Sequence, residues 1–295
     1  MTGMRLGVDV GGTKIAAVVL DRNGHRIFHA RRDTPKTYAD VLHAIGGIVG
    51  ECEGAVGAGA SIGVGMPGSQ SPRTGQWRNC NMTFINGRPF AADLEAALGR
   101  PIRIENDANC FALSEAIGGA GEGYPVVYAL TLGTGLGGGL VVDGHVRRGA
   151  NGVAAEIGHV PIVVPEGEPA PCYCGGLGCA ESYVSGTGMA RDHRLVTGET
   201  LSSPQIIAAM QAGDAGAIAT FGRLTDRLAR LVGMLANALD PDVIVLGGGL
   251  STVAGLAEAV RDSAPRYVFG REAAPPIVLA RTTESGARGA ALLWD

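Results

Sequence analysis

Twice along the chain a strand-length apolar run meets a glycine turn, a second apolar run and a hairpin turn. Arg5 to Val10, Gly11-Gly12, Ile15 to Leu20 and Asp21-Arg22-Asn23-Gly24 form the first instance. Val126 to Leu132, Gly133 to Gly139, Leu140 to Val142 and Asp143-Gly144 form the second. This order predicts two similar halves, each presenting a glycine loop at the end of a strand. Glycine fits the demand: 48 of 295 residues, more than double the usual share of about 7%. The glycines have no collagen-like period, so they are expected at turns and close backbone approaches.

Between these loops, strand and helix patterns alternate. A third strand is expected near Ile27 to Arg31, then a helix over Tyr38 to Glu51 and a strand over Ala60 to Val64. A helix over Phe90 to Leu98, a strand over Pro101 to Ile104 and a helix over Asp107 to Ile117 follow. Later, Ser203 reads as an N-cap with Pro204 at the first helical position. Leu224, Leu228, Leu231, Val232, Leu235 and Leu239 mark one face of a long helix that Asp240-Pro241 ends. Asp242 to Leu246 reads as a buried strand before Gly247-Gly248-Gly249, and Ala287 to Trp294 as a closing helix. The pattern is α/β with two lobes.

Composition excludes several classes. With 46% hydrophobic and 18% charged residues the chain is not disordered. Its net charge of −4 argues against a nucleic-acid binder that works by charge. The uncharged stretch Gly123 to Val142 has the length of a membrane helix. Its six glycines and one proline make two strands around a turn the better reading. Met1-Thr2-Gly3-Met4 leads straight into Leu6 to Val10, so no secretory leader and a cytoplasmic setting are expected. Six cysteines are too few for a disulfide scaffold.

Three glycine loops follow apolar strands, at Asp9-Val10-Gly11-Gly12-Thr13-Lys14, at Leu132 to Gly139 and at Leu246 to Gly249. Backbone N–H groups in such loops can reach phosphate oxygens, Thr13 and Lys14 add a hydroxyl and a cation, and Asp9 could hold a hydrated Mg²⁺. Alone, the first loop reads equally as a tight hairpin; three together point to a nucleotide clamped between lobes. His159, Cys172, Cys174 and Cys179 supply three thiolates and an imidazole, the donor set of a closed structural zinc site. Incidental thiols beside a core histidine are the bland alternative. Glu105-Asn106-Asp107 falls at a strand-to-helix junction, where Asp107 is either a helix cap or the base for a hydroxyl attacking a γ-phosphate. Glu156 and Glu181, beside the cluster, are either solvated acids or polar ligands for a polyhydroxyl molecule.

These residues together resemble the ROK family of sugar kinases. Asp9 to Lys14 resembles its first phosphate loop, Leu132 to Gly139 its second, and Val245 to Gly249 its adenosine loop. Glu156-Ile157-Gly158-His159 followed by Cys172-Tyr173-Cys174-Gly175-Gly176-Leu177-Gly178-Cys179-Ala180-Glu181 resembles its signature. The resemblance spans Arg5 to Trp294. It implies a two-lobed actin-like ATPase (ribonuclease H-like, hexokinase) fold, with a duplicated core and a zinc knuckle. A smaller lobe over 1–117, completed by the helix 287–295, and a larger lobe over 118–286 are expected, with hinges near Gly118 and Gly286.

The resemblance also implies roles. Asp107 is the implied catalytic base. Gly68, Asn81, Asn106, Glu156, His159 and Glu181 are implied sugar ligands, with His159 also on zinc. Gly11, Gly12, Thr13, Lys14, Gly133, Thr134 and Gly135 would face the phosphates and Gly248 the adenosine. The implied reaction is ATP- and Mg²⁺-dependent phosphorylation of a hexose 6-hydroxyl, in a homodimer with neither nucleic-acid nor membrane partner. Pro67-Gly68-Ser69 to Asn81, the Cys172 region and Ser185 to Gly188 look most like fructokinases acting on fructose, mannose or glucose. Asn106 to Ala116 equally resembles N-acetylglucosamine kinases. A sugar-binding regulator without catalysis is the competing class; intact Asp9, Lys14 and Asp107 argue against it.

Overall fold

The computed structural model describes residues 3–164 and 169–294. The opening apolar runs form β1 (Arg5–Val10), β2 (Lys14–Leu20) and β3 (Arg26–Asp33). Short turns join them, so they pair antiparallel. α1 (Tyr38–Val56) then crosses to β4 (Ser61–Met66), which lies parallel to β1. Thr37 caps α1 by accepting the Asp40 N–H, and Val41, Ile45, Ile48, Val49 and Cys52 form its buried face. After the small hairpin β5 (Ser69–Gln70) and β6 (Trp77–Arg78) come α2 (Phe90–Leu98), β7 (Ile102–Asn106) and α3 (Asp107–Ala116). The sheet order is β3-β2-β1-β4-β7.

The second half repeats the plan. β8 (Val126–Leu132), β9 (Leu136–Val142) and β10 (His145–Val146) follow, then α4 (Gly186–Thr197), α5 (Ser203–Gln211) and α6 (Ala215–Leu239). β11 (Val243–Gly247), α7 (Leu256–Ser263), β12 (Ile277–Leu279) and α8 (Ser285–Leu292) complete the elements used below. The second sheet runs β10-β9-β8-β11-β12, with β11 parallel to both β8 and β12. Two five-stranded α/β sheets, the first opening on the antiparallel trio β1, β2 and β3 and the second on the neighbouring strands β8, β9 and β10, are the duplicated core expected from the sequence. The chain forms two compact units, one of Met1–Glu122, Gly139–Ala154 and Arg281–Asp295, the other of Gly123–Gly138 and Ala155–Ala280. Among the described residues no helix is long and apolar enough to cross a membrane.

Two local expectations need correction. The run Gly137-Gly138-Gly139 is not turn but strand, since β9 already starts at Leu136. Its glycines serve close packing: a Cβ at Gly138 would fall 2.4 Å from the Ala155 carbonyl oxygen, and one at Gly139 2.4 Å from that of Ala108. The α5 cap is Ser202 rather than Ser203, because Gln205 at the third helical position returns a bond to the Ser202 backbone N–H.

Glycine also decides how α8 packs in the first unit. A Cβ would fall 1.9 Å from the Ala287 carbonyl oxygen at Gly7, and 1.8 Å from that of Ala290 at Gly63. At Gly289 it would fall 1.7 Å from the Cys110 carbonyl oxygen on α3. Backbone meets backbone at all three, so no rotamer change can relieve a side chain. Gly289→Ala is therefore expected to destabilise by about 3 kcal/mol or more in urea unfolding. Gly222→Ala, on an exposed part of α6 with nothing within 4 Å of the new methyl group, is expected to stabilise by about 0.5–1 kcal/mol.

Candidate active site

Register brings the first unit's acids together. Asp9 pairs with Gly65 across β1 and β4, and Gly65 pairs with Glu105 across β4 and β7. Asp107 follows two residues later as the first residue of α3. Asn106 is the cap: its Oδ1 accepts the N–H groups of Ala108 (2.9 Å) and Asn109 (3.3 Å). Its Nδ2 donates to the Gly68 carbonyl (3.2 Å). With capping assigned to Asn106, the Asp107 carboxylate is free for chemistry, although its Oδ1 also accepts the Ala108 N–H (2.9 Å).

Burial pushes the Asp107 carboxyl above the usual carboxylate range. Burial, and then the charge of Asp107, raise Asp9 to about 7. Two acids that resist ionising side by side form a site that a cation would relieve. Gly286 leaves the room, because a Cβ there would fall 2.7 Å from the Asp9 carboxylate.

The loop from Gly11 to Lys14 closes on a hydrogen bond from the Gly11 N–H to the Lys14 carbonyl (2.9 Å). Thr34 Oγ1 donates to the Gly11 carbonyl (2.6 Å) and Lys36 Nζ to the Gly12 carbonyl (2.9 Å). Thr13 and Lys14 are left with exposed side chains, as is Asn81. A Cβ at Gly12 would lie 3.9 Å from Asn81 Nδ2, so loop and asparagine are neighbours.

In the second unit the two remaining loops leave the same end of adjacent parallel strands, since Gly247 pairs with Thr131. Gly133 and Gly135 close a tight turn (3.0 Å). The Gly133 and Thr134 carbonyls accept N–H groups of Gly186 (2.8 Å) and Thr187 (3.2 Å), fixing the loop to the start of α4. The Thr134 side chain is exposed. Gly248 has φ 82°, and a Cβ there would meet the Leu132 backbone.

His159 and Glu181 sit on two short 3₁₀ turns, Ile157–His159 and Ala180–Ser182. Ala155, just before Glu156, holds a left-handed φ of 66°, a strained backbone for a residue with a Cβ. Its carbonyl accepts the Tyr128 hydroxyl (3.2 Å), whose pKa rises through burial and the nearby half-buried Glu156 carboxylate. Glu181 Oε2 accepts the Leu136 N–H (2.9 Å). A Cβ at Gly135 would fall 2.5 Å from that carboxylate, so a larger residue there would displace Glu181.

One ligand atom each from His159, Cys172, Cys174 and Cys179 lie within 4.8 Å of one another. His159 Nδ1 is 3.7 Å from Cys172 Sγ, and Cys174 Sγ is 3.6 Å from Cys179 Sγ. Gly175 (φ 89°) and Gly178 (φ 73°) make the reversals that the knuckle needs. The Gly176 N–H and the Cys172 thiol draw the Cys174 thiol down to about 7, while burial pushes Cys179 up to about 12. Three sulfurs and one imidazole nitrogen in contact fit a tetrahedral zinc ion with no position left open. Nδ1 is the nitrogen at the cluster, so Nε2 points outward and lies 3.1 Å from the Tyr173 hydroxyl.

Several supporting residues escape sequence reasoning. Buried Glu105 accepts the Asn106 N–H (2.9 Å) and Asn109 Nδ2 (3.1 Å) and bonds Arg148 Nε. Arg148 comes from beyond β10, and no local spacing signals it. Lys36 and Gly286 are likewise distant in sequence from the groups they support. Glu115, fully buried, accepts the N–H groups of Ala120 (2.8 Å), Arg281 (3.1 Å) and Thr282 (2.9 Å), fixing the far end of α3.

The fold, the three loops and the paired acids define a two-sheet α/β protein with glycine loops at its strand ends and an acid at a helix start. Residues 5–295 match the model of the ROK family, and the chain belongs to that family. An N-acetyl-D-glucosamine kinase of Salmonella gallinarum is 39% identical over 98% of this chain and 99% of its own. The ROK hexokinase of Thermus thermophilus superposes with a TM-score of 0.88 at 35% identity, covering 98% of this chain and 97% of its own. A ROK glucokinase from Streptomyces griseus, solved with glucose and AMPPNP, gives 0.79 at 32% identity and 98% of both chains. These relatives are named for N-acetylglucosamine, hexose and glucose, and they lend the fructokinase expectation no support.

Two outcomes follow. The folded state binds the Asp9 proton more tightly than the unfolded chain does. This group therefore makes stability fall as pH rises from about 4 to about 7. In metal-free protein, Asp9→Asn should gain stability relative to wild type between pH 5 and pH 8, on the order of 4 kcal/mol at most; urea unfolding at both pH values reads it. Cys174→Ser should lower the bound zinc found by elemental analysis well below one per chain.

Proposed function

We propose that this chain is an ATP-dependent sugar kinase that phosphorylates the 6-hydroxyl of N-acetylglucosamine. The observation that carries the reading is Asp107: a carboxylate at a helix start, relieved of capping by Asn106 and held above its usual pKa by burial. A general base works best with its pKa near the working pH, and burial moves Asp107 in that direction. The 39% identity to an N-acetylglucosamine kinase over nearly the whole chain supports the substrate. Glucose is the second reading, favoured by the 32% identical glucokinase solved with glucose.

In the reaction, Asp107 accepts the proton of the 6-hydroxyl as its oxygen attacks the γ-phosphorus. The new O–P bond forms while the bond to the β–γ bridging oxygen breaks, and that oxygen leaves with ADP. The backbone and side chains of Gly11, Gly12, Thr13 and Lys14, with Gly133, Thr134 and Gly135, stabilise the phosphates; Gly248 faces the adenosine. Asp9 would hold a hydrated Mg²⁺, which supplies charge neutralisation along the triphosphate. Gly68, Asn81, Asn106, Glu156, His159 and Glu181 bind sugar hydroxyls. The Cys172, Cys174, Cys179 and His159 set would hold structural Zn²⁺ and so fix the His159 ring, whose Nε2 would then be presented to the sugar. A homodimer in the cytoplasm completes the proposal and rests on the family resemblance alone.

Asp107→Asn tests the base directly. The variant should retain N-acetylglucosamine affinity in calorimetry and lose about 10²–10⁴-fold in kcat. Turnover within a few-fold of wild type would remove Asp107 from the mechanism.

A further inference from the structure

A small pocket of about 170 Å³ lies in the second unit against the cysteine knuckle, lined by Tyr173, Glu181, Ser182, Thr187 and Arg191 among others. Most of its polar groups are engaged. Thr187 Oγ1 donates to the Thr134 carbonyl (3.0 Å), and Ser182 Oγ to the Pro171 carbonyl (3.4 Å). The Tyr173 hydroxyl faces His159 Nε2. Arg191 differs. It is half-buried on α4, lines the pocket and has no hydrogen-bond or ion-pair partner among the described residues. Two arginines of the adjacent α6, Arg223 and Arg227, both pair with Asp192.

A half-buried guanidinium that lines the pocket and has no partner of its own among the described residues is free to donate to a group from outside the chain. The opposite wall narrows the choice. Glu181 uses Oε2 on the Leu136 N–H and keeps Oε1 as an acceptor. An anion in the pocket would face the Glu181 carboxylate, and a cation would face Arg191. A neutral group with one N–H donor and one carbonyl acceptor satisfies both walls, and a secondary amide is such a group. A bare hydroxyl leaves part of the guanidinium unmet.

We propose that Arg191 and Glu181 form the subsite for the 2-acetamido group of the sugar, Arg191 donating to the amide carbonyl and Glu181 accepting the amide N–H. The proposal rests on the reading of the chain as an N-acetylglucosamine kinase. It makes Arg191 a specificity determinant rather than part of the phosphoryl-transfer machinery.

The test compares wild type with Arg191→Met on N-acetylglucosamine and on glucose, with ATP and Mg²⁺. KM for N-acetylglucosamine should rise about 10- to 100-fold while kcat holds, as expected for a lost charge-assisted hydrogen bond. KM for glucose should move by at least about tenfold less, which also shows that the variant folds. A rise shared equally by both sugars, or no rise for either, overturns the subsite and leaves the kinase reading standing. A wild-type enzyme that turns over glucose and not N-acetylglucosamine overturns the substrate reading and the subsite with it.

Discussion

Two carboxylates, Asp9 and Asp107, are held in one half-buried place where both cannot easily be charged, and much of the first unit serves that arrangement. Sheet register sets Asp9 and the start of α3 at one sheet end. Asn106 takes over the helix cap, and Glu105 with Arg148 braces the turn between them. Gly286 leaves the space that the Asp9 carboxylate fills. Such a pair is unfavourable in the empty protein. In the proposed reaction a metal cation would meet one acid and a substrate proton the other, which is the demand of phosphoryl transfer.

The second unit solves a different problem, precise placement on short irregular turns. His159 and Glu181 lie on single 3₁₀ turns, which have little rigidity of their own. The four-ligand cluster ties these turns to the knuckle, and the glycine at position 135 lets its loop lie against Glu181. One ring then has two uses: Nδ1 at the cluster, Nε2 outward.

Much of this was legible in the sequence. Phe90–Leu98 and Val126–Leu132 match their expected bounds, because apolar period and flanking breakers agree there. The cluster was legible because three cysteines and a histidine at short spacing have few other uses. Helix and strand ends were less so: α1 runs on to Val56, past the expected Glu51, because its last turns continue the pattern. β9 takes up glycines that resembled a turn, since what they avoid is a backbone distant in sequence. The same reason hid Arg148 and Lys36, and the room that Gly286, expected as a hinge, leaves for Asp9, since these depend on neighbours that only the fold supplies. Substrate preference was not legible, because two stretches of the chain resemble two different kinases, and the relatives lend the fructokinase expectation no support. Whole-chain similarity, rather than either stretch, supports the proposed acetamido sugar.

The most direct test is ADP release from the zinc-loaded protein with ATP and Mg²⁺ across N-acetylglucosamine, glucose, mannose and fructose. The account predicts turnover on all hexoses that fit, with the highest kcat/KM on N-acetylglucosamine. Sugar binding in calorimetry with no ADP release from any of the four would contradict it and leave a regulator in place of a kinase.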